Sequence, residues 1–360
     1  MAVDDTVLVA APAPKRPRIE DAMVNTDHSS ARDAATEPHP PDLYDYDEEL
    51  TKRAVASSAC GLGNVKQEHV EHFLEDGVLI VRDAFTRAHV AEVLDELRAL
   101  AGSKKYQAAC AATSEACAAQ KLIVADGGDP PLLQYDAAAV RFDGTDTALQ
   151  DDPLRQVRKL QGFLSYAPQL KNKLAFDNKL VALVRRLFDA VRCRDPESKS
   201  DESAHRDLAV WQSLALLKPA QGGREKPWHV DHAYFNVAKD ERIMGMWLAL
   251  DEATPQNGCM HFLLGKQHRR GKVWDHFKRR DWQICDGEIQ AFKGSNIIAP
   301  VLQPGSLLLF DSKVPHGTPT NVSGEQRKAI QFHYTYLEKP QVGDQERLAI
   351  YGGEGRGVSC

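Results

Sequence analysis

The hydrophobic rhythm of this chain changes once, near residue 207. Before that point apolar positions recur at helical spacing: Val70, Phe73 and Leu74 form an i, i+3, i+4 stripe, and Gly77 is placed to end the helix. Val78 to Val81 follows as a short strand. Thr86 is placed to cap a second helix whose buried face is Val90, Val93, Leu94, Leu97 and Leu100. Leu154 to Leu164 and Asn178 to Phe188 also predict helices, the latter with Leu180, Val181, Val184, Leu187 and Phe188 on one side. Before these two, alanine-rich Gln107 to Gln120 favours helix and Gly127 to Pro131 breaks it, and after them Asp189 to Arg206 reads as charged loop.

Beyond residue 207 the period becomes two. Trp211 to Leu217, Met244 to Leu250, Cys259 to Leu263, Ser306 to Asp311 and Lys328 to Tyr336 alternate or run apolar, with Gly or Pro between them. Repeated short strands of this kind predict a sandwich or barrel. The fold class expected is mainly β with flanking helices (α+β).

The ends differ from this middle. Residues 1–48 are rich in Ala, Pro, Asp and Ser and too poor in large apolar groups to offset the entropy of ordering, so they predict a disordered tail. Within it Lys15-Arg16-Pro17-Arg18 is a candidate nuclear signal, and Asp42 to Glu49, five acids around two tyrosines, reads as solvated linker. Residues 339–360, glycine-rich from Gly352 to Gly357, read as a C-terminal tail, which leaves 49–338 as one folded domain.

Composition narrows the function classes. A hydrophobic content of 42% is ample for a packed core, and a formal charge of -6 argues against nucleic acid or a membrane surface as the default partner. Seven cysteines, an odd count without a C-x-x-C pair, read as reduced thiols, not a disulfide frame or zinc site. No apolar run approaches the roughly 20 residues that span a bilayer. Val7 to Ala11 is too short for a secretory signal, and Val358-Ser359-Cys360 is not a peroxisomal address, so the expected location is cytoplasmic.

The candidate chemistry lies in His229-Val230-Asp231 and in His316. Two imidazoles and one carboxylate suit an octahedral ferrous ion, because three protein ligands on one face leave three positions for a co-substrate and oxygen. Residues two apart on a strand project to the same side, so His229 and Asp231 can converge on one ion, while His316 must arrive from another strand. Around them stand Met244 to Phe262, with Trp247 and Asn257-Gly258; then Gly265-Lys-Gln-His268, Pro304-Gly305 to Asp311, and Val314-Pro315-His316-Gly317-Thr318.

In these segments the chain resembles the phytanoyl-CoA dioxygenase family of iron(II)- and 2-oxoglutarate-dependent oxygenases, over roughly residues 65 to 338. The resemblance implies a double-stranded β-helix, or jelly roll, with His229, Asp231 and His316 as metal ligands. It implies that Arg327 holds the distal carboxylate of 2-oxoglutarate, a task suited to a planar, always-charged fork. Thr318 would support the same carboxylate and Trp247 would line the pocket, with Gln212 and Lys159 as further co-substrate contacts. The presence of Asp231, where related halogenases carry a small residue, implies hydroxylation. The implied reaction consumes O2 and 2-oxoglutarate, releases succinate and carbon dioxide, and hydroxylates a small organic molecule, lipid-like or acyl-CoA-like.

Two other readings stay open: a non-catalytic jelly roll that binds a ligand or partner, and a zinc hydrolase, which leaves Arg327 and Thr318 without a purpose. His232, His261, His268 and His333 read as supporting or structural. Lys266 to Arg280 carries seven Lys or Arg against one Asp and would suit an anionic substrate group. Oligomeric state has no signal in the sequence.

Overall fold

Most of the strands lie beyond the change of period at residue 207, whereas before it the covering helices alternate with four strands of the large sheet. In the computed structural model the described residues are 41–118, 129–135, 152–194, 207–220, 223–265, 272–277, 283–337 and 341–352. The strands in chain order are β1 (Ala59–Cys60), β2 (Val78–Arg82), β3 (Leu132–Tyr135), β4 (Val157–Gln161), β5 (Leu208–Lys218), β6 (Lys226–His229), β7 (Met244–Ala249), β8 (His261–Leu263), β9 (His276–Phe277), β10 (Gln283–Ile284), β11 (Ile297–Ile298), β12 (Leu307–Asp311), β13 (His316–Thr318) and β14 (Arg327–Tyr336).

Eight of them form a large sheet in the order β1-β2-β12-β7-β14-β5-β4-β3, and β11-β8-β13-β6 form a four-stranded sheet facing it. One face of the large sheet packs under helices, where Met246, Leu248, Leu309, Ile330, Phe332 and Tyr334 share a core with Val90, Leu97, Val184 and Leu187. The other face meets the small sheet through Trp247, Leu308 and Phe310 against Phe262 and Ile298. Burial on both faces explains why Met244 to Ala249 reads as a continuous apolar run: all of its residues are buried. Two facing sheets are the jelly roll expected.

The covering helices are α1 (Glu48–Ala56), α2 (Gln67–Asp76), α3 (Arg87–Ala101), α4 (Lys104–Ala118) and α5 (Asn178–Arg194). Their punctuation follows the sequence: the Thr86 hydroxyl accepts from the His89 amide at 3.2 Å, and Gly77 ends α2 at φ 78°, where a Cβ would be strained. No helix among the described residues is long and apolar enough to cross a membrane.

Four expectations are corrected. Leu154 to Leu164 is not a helix but a short 3-10 turn, Pro153–Arg155, followed by β4, which pairs with β5. Apolar residues at 154, 157, 160, 163 and 164 fit a helical period, but over so short a segment the period does not exclude a strand, and here the pairing decides. Helix α5 runs on to Arg194, beyond the loop start predicted at Asp189. The supposed linker at 42–49 packs closely: Leu43 is 2% exposed, its carbonyl accepts from Trp228 Nε1 at 3.0 Å, and Tyr44 stacks on Trp228 with ring centroids 5.8 Å apart. The C-terminal tail contains a helix, α6 (Asp344–Tyr351), which buries Leu348 and Tyr351. The nuclear-signal candidate and the rest of residues 1–40 lie outside the described residues.

Candidate active site

The register of the small sheet assembles the metal-ligand candidates. Strands β6 and β13 are antiparallel with His229 directly opposite His316, so the two rings share a face, 4.3 Å between centroids. Val230 is extended (φ −112°, ψ 131°) and delivers Asp231 to the same side as the first residue of a 3-10 turn. Asp231 Oδ1 lies 3.3 Å from His229 Nε2 and 3.5 Å from His316 Nε2. One ligand atom from each of the three groups falls within 4.8 Å of the others, and all three residues are buried.

The other atoms of these side chains are held by the protein. His229 Nδ1–H donates to the Pro227 carbonyl at 2.7 Å and His316 Nδ1–H to the Val314 carbonyl at 2.9 Å, which leaves both Nε2 lone pairs toward the centre. Asp231 Oδ2 accepts from His333 Nε2 at 2.7 Å and Gln331 Nε2 at 3.3 Å, both on β14 of the large sheet, so Oδ1 remains for a cation. Val230, between the ligands, donates its amide to His276 Nε2 at 3.2 Å. Burial, helped by nearby His316, pulls His229 down to about 4, so it is a neutral ligand at pH 7. Burial alone would raise Asp231, yet the imidazoles of His316, His333 and His229 hold it well below the usual carboxylate range.

Next to this cluster is a cationic end. Arg327 opens β14, is 3% exposed, and has Nε and Nη1 without a hydrogen-bond partner among the described residues. Its guanidinium lies 5.3 Å from the centroid of the Trp247 ring, and the Trp247 indole N–H is likewise buried and unpartnered. Trp247 is the register partner of Gln331, which bonds Asp231, so one row of the sheet leads from carboxylate to guanidinium. Burial lowers Arg327 to about 10, which still leaves it charged at neutral pH. Thr318, two residues past His316, accepts from Lys218 Nζ at 2.8 Å.

Of the remaining candidates, Gln212 is the register partner of His333, and its Oε1 is buried without a partner among the described residues. Lys159 sits on β4, buried, opposite Leu216 and two strands from Arg327. His232 bonds Ser312 Oγ and the Ala238 carbonyl, and His261 bonds the Cys259 carbonyl. His268 and most of the basic segment 266–280 lie outside the described residues.

Sequence reasoning missed Lys218, His276 and the role of Gln331. A period of two along β5 places Lys218 on the face of Gln212 and Leu216, but a lysine at a strand end ordinarily points to water. His276 carried no spacing signal at all.

The phytanoyl-CoA dioxygenase (PhyH) family profile matches residues 73–329. The chain belongs to that family. As a member it is a dioxygenase of the iron(II)- and 2-oxoglutarate-dependent class. A phytanoyl-CoA dioxygenase domain-containing protein 1 homolog of Caenorhabditis briggsae is 23% identical over 274 residues, covering 73% of this chain and 88% of the relative. Among solved structures, EctD from S. alaskensis in its apoform covers 82% of this chain and 86% of its own, with a TM-score of 0.50 at 19% identity. The epimerase SnoN, solved with Fe3+, alpha ketoglutarate and nogalamycin RO, covers 78% and 88% with a TM-score of 0.50 at 16% identity. Likeness at that level establishes the jelly-roll fold, in agreement with the facing sheets.

Proposed function

We propose that this phytanoyl-CoA dioxygenase family member hydroxylates a small organic substrate, lipid-like or acyl-CoA-like, at an iron(II) held by His229, Asp231 and His316. Arg327, with Thr318 and Trp247, would take the distal carboxylate of 2-oxoglutarate. The donor set fits the metal: two neutral imidazole nitrogens and one carboxylate oxygen converge, each with its second heteroatom already held. The observation that carries the co-substrate reading is the Arg327 guanidinium, buried with two unpaired nitrogens. Such a group costs several kcal/mol unless an anion meets it.

Bound there, iron(II) and 2-oxoglutarate supply oxygen activation coupled to release of carbon dioxide and succinate. The chain's own share is positional. His333 and Gln331 fix the direction of the Asp231 carboxylate, the Pro227 and Val314 carbonyls fix the two imidazoles, and Arg327 sets the distance at which a five-carbon diacid reaches the metal. Phe262 and Phe310 pack against the His316 ring and exclude water from that side. A non-catalytic binding protein has no need of this complete set, and a zinc hydrolase leaves Arg327 without a function. The catalytic unit is taken to include Leu43 and Tyr44, which pack against Trp228 of the small sheet.

The test is succinate formation from 2-oxoglutarate by iron-loaded protein in the presence of a metabolite mixture. Asp231→Ala is expected to abolish both succinate release and metal binding. A variant that retained turnover would overturn the assignment.

A further inference from the structure

Lys218 ends β5 as the direct cross-strand partner of Arg327, which brings two buried basic side chains to one place on the sheet, where burial and then the Arg327 charge hold Lys218 well below the usual lysine range. Its ammonium crosses to the small sheet, where it donates to Thr318 Oγ1 at 2.8 Å, to the Thr318 carbonyl at 3.4 Å and to the Pro319 carbonyl. These acceptors are all uncharged. Gly258 makes room for it: at φ +80°, a Cβ there would lie 2.8 Å from Lys218 Cδ and 2.6 Å from the Pro319 oxygen. As a brace alone the lysine would be costly, because it desolvates a charge beside a guanidinium to reach oxygens that a neutral donor could serve.

The hydrogen-bond count at Thr318 gives the lysine a purpose. A threonine oxygen has two acceptor positions and one proton. Lys218 Nζ takes one position and the Lys226 amide, at 3.3 Å, the other. The hydroxyl proton is thereby left over, and no bond donated by that hydroxyl forms among the described residues.

We propose that Lys218 is a positioning residue for the co-substrate: by donating to Thr318 Oγ1 it directs the threonine proton toward the carboxylate that Arg327 receives. The inference rests on the co-substrate reading above. It assigns to Lys218 the discrimination between keto acids that carry a distal carboxylate and those that do not.

The experiment measures calorimetric binding of 2-oxoglutarate and of 2-oxobutyrate, which lacks that carboxylate, to full-length manganese-loaded protein without oxygen. In Lys218→Met the Kd for 2-oxoglutarate is expected to rise about tenfold, the loss of one charge-assisted hydrogen bond. The Kd for 2-oxobutyrate is expected to hold within about twofold on the same grounds. Thr318→Val should give the same selective loss, and the double variant should be no worse than Thr318→Val alone. If methionine is not accommodated, Lys218→Gln, one bond too short to reach Oγ1, carries the same expectation. Equal weakening of both keto acids, no weakening, or full additivity with Thr318→Val would reduce Lys218 to a brace and overturn the proposal. Arg327→Met separates the two levels: if it keeps the preference for 2-oxoglutarate, the co-substrate reading itself fails, whereas if it loses the preference while Lys218→Met keeps it, only the role of Lys218 fails.

Discussion

Replacing His333 by phenylalanine tests whether the large sheet sets the metal ligand's geometry from behind. His333 is 1% exposed and its ring lies 4.9 Å from that of Phe235, so a phenyl group of similar size keeps the packing. What disappears is the 2.7 Å bond to Asp231 Oδ2, while Gln331 remains at 3.3 Å. A buried hydrogen bond to a charged group contributes about 1.5–3 kcal/mol, and each 1.4 kcal/mol is tenfold, so the loss corresponds to roughly 10- to 150-fold. The surviving Gln331 contact places the expectation in the lower part of that interval, about 10- to 50-fold weaker metal binding. The assay is competition for manganese(II) or cobalt(II) against a chelator of known affinity at pH 7.5, with circular dichroism to confirm the fold. A folded His333→Phe protein that binds metal as tightly as wild type would refute the reasoning, because Asp231 would then not need its second oxygen held.

Three further outcomes follow from the same geometry. Burial lowers His229 and His261 to about 4 and His232 and His276 to about 3, so between those values and the ordinary 6.5 the unfolded chain binds more protons than the folded one. Stability of the metal-free protein is therefore complete above about pH 6.5 and is lost as pH falls, by on the order of 2 kcal/mol per histidine at pH 5, and denaturant midpoints measured from pH 7.5 to 5 should drop steeply. Gly258→Ala, at φ +80° and against the Pro319 carbonyl, should cost on the order of 1–3 kcal/mol and lower the melting temperature, which calorimetry would detect. Trp247→Phe keeps the ring beneath Arg327 but removes the indole N–H, so the KM for 2-oxoglutarate should rise a few-fold with kcat little changed; an unchanged KM would remove Trp247 from the pocket.

The strand pattern was legible because each strand of the jelly roll buries at least one face, and the ligand trio because H-x-D on an extended segment fixes a common side. Arg327, Thr318 and Trp247 were found through resemblance, and the register explains their company: Arg327 and Gln331 lie on one face of β14, and Trp247 pairs with Gln331. The sequence was silent where tertiary contact decides. Val157 to Leu160 becomes strand only because β5 is there to pair with it. Lys218 looks like a solvated strand end until β13 supplies Thr318 as its acceptor. The acids at 42–49 outweighed Leu43 and Tyr44 in composition, although those two apolar groups decide where that segment goes.

That segment has a consequence for the metal centre. Strand β6, which carries His229, is the outermost member of its sheet, and such a position tends to recruit another chain's backbone. Leu43 and Tyr44 occupy that flank instead, with the Tyr44 hydroxyl donating to the Lys226 carbonyl and Trp228 anchored to the Leu43 carbonyl. The short acidic stretch is therefore a guard rail: a protein trimmed to begin at residue 49 would bare Trp228 and invite self-association at the very strand on which the first ligand rides.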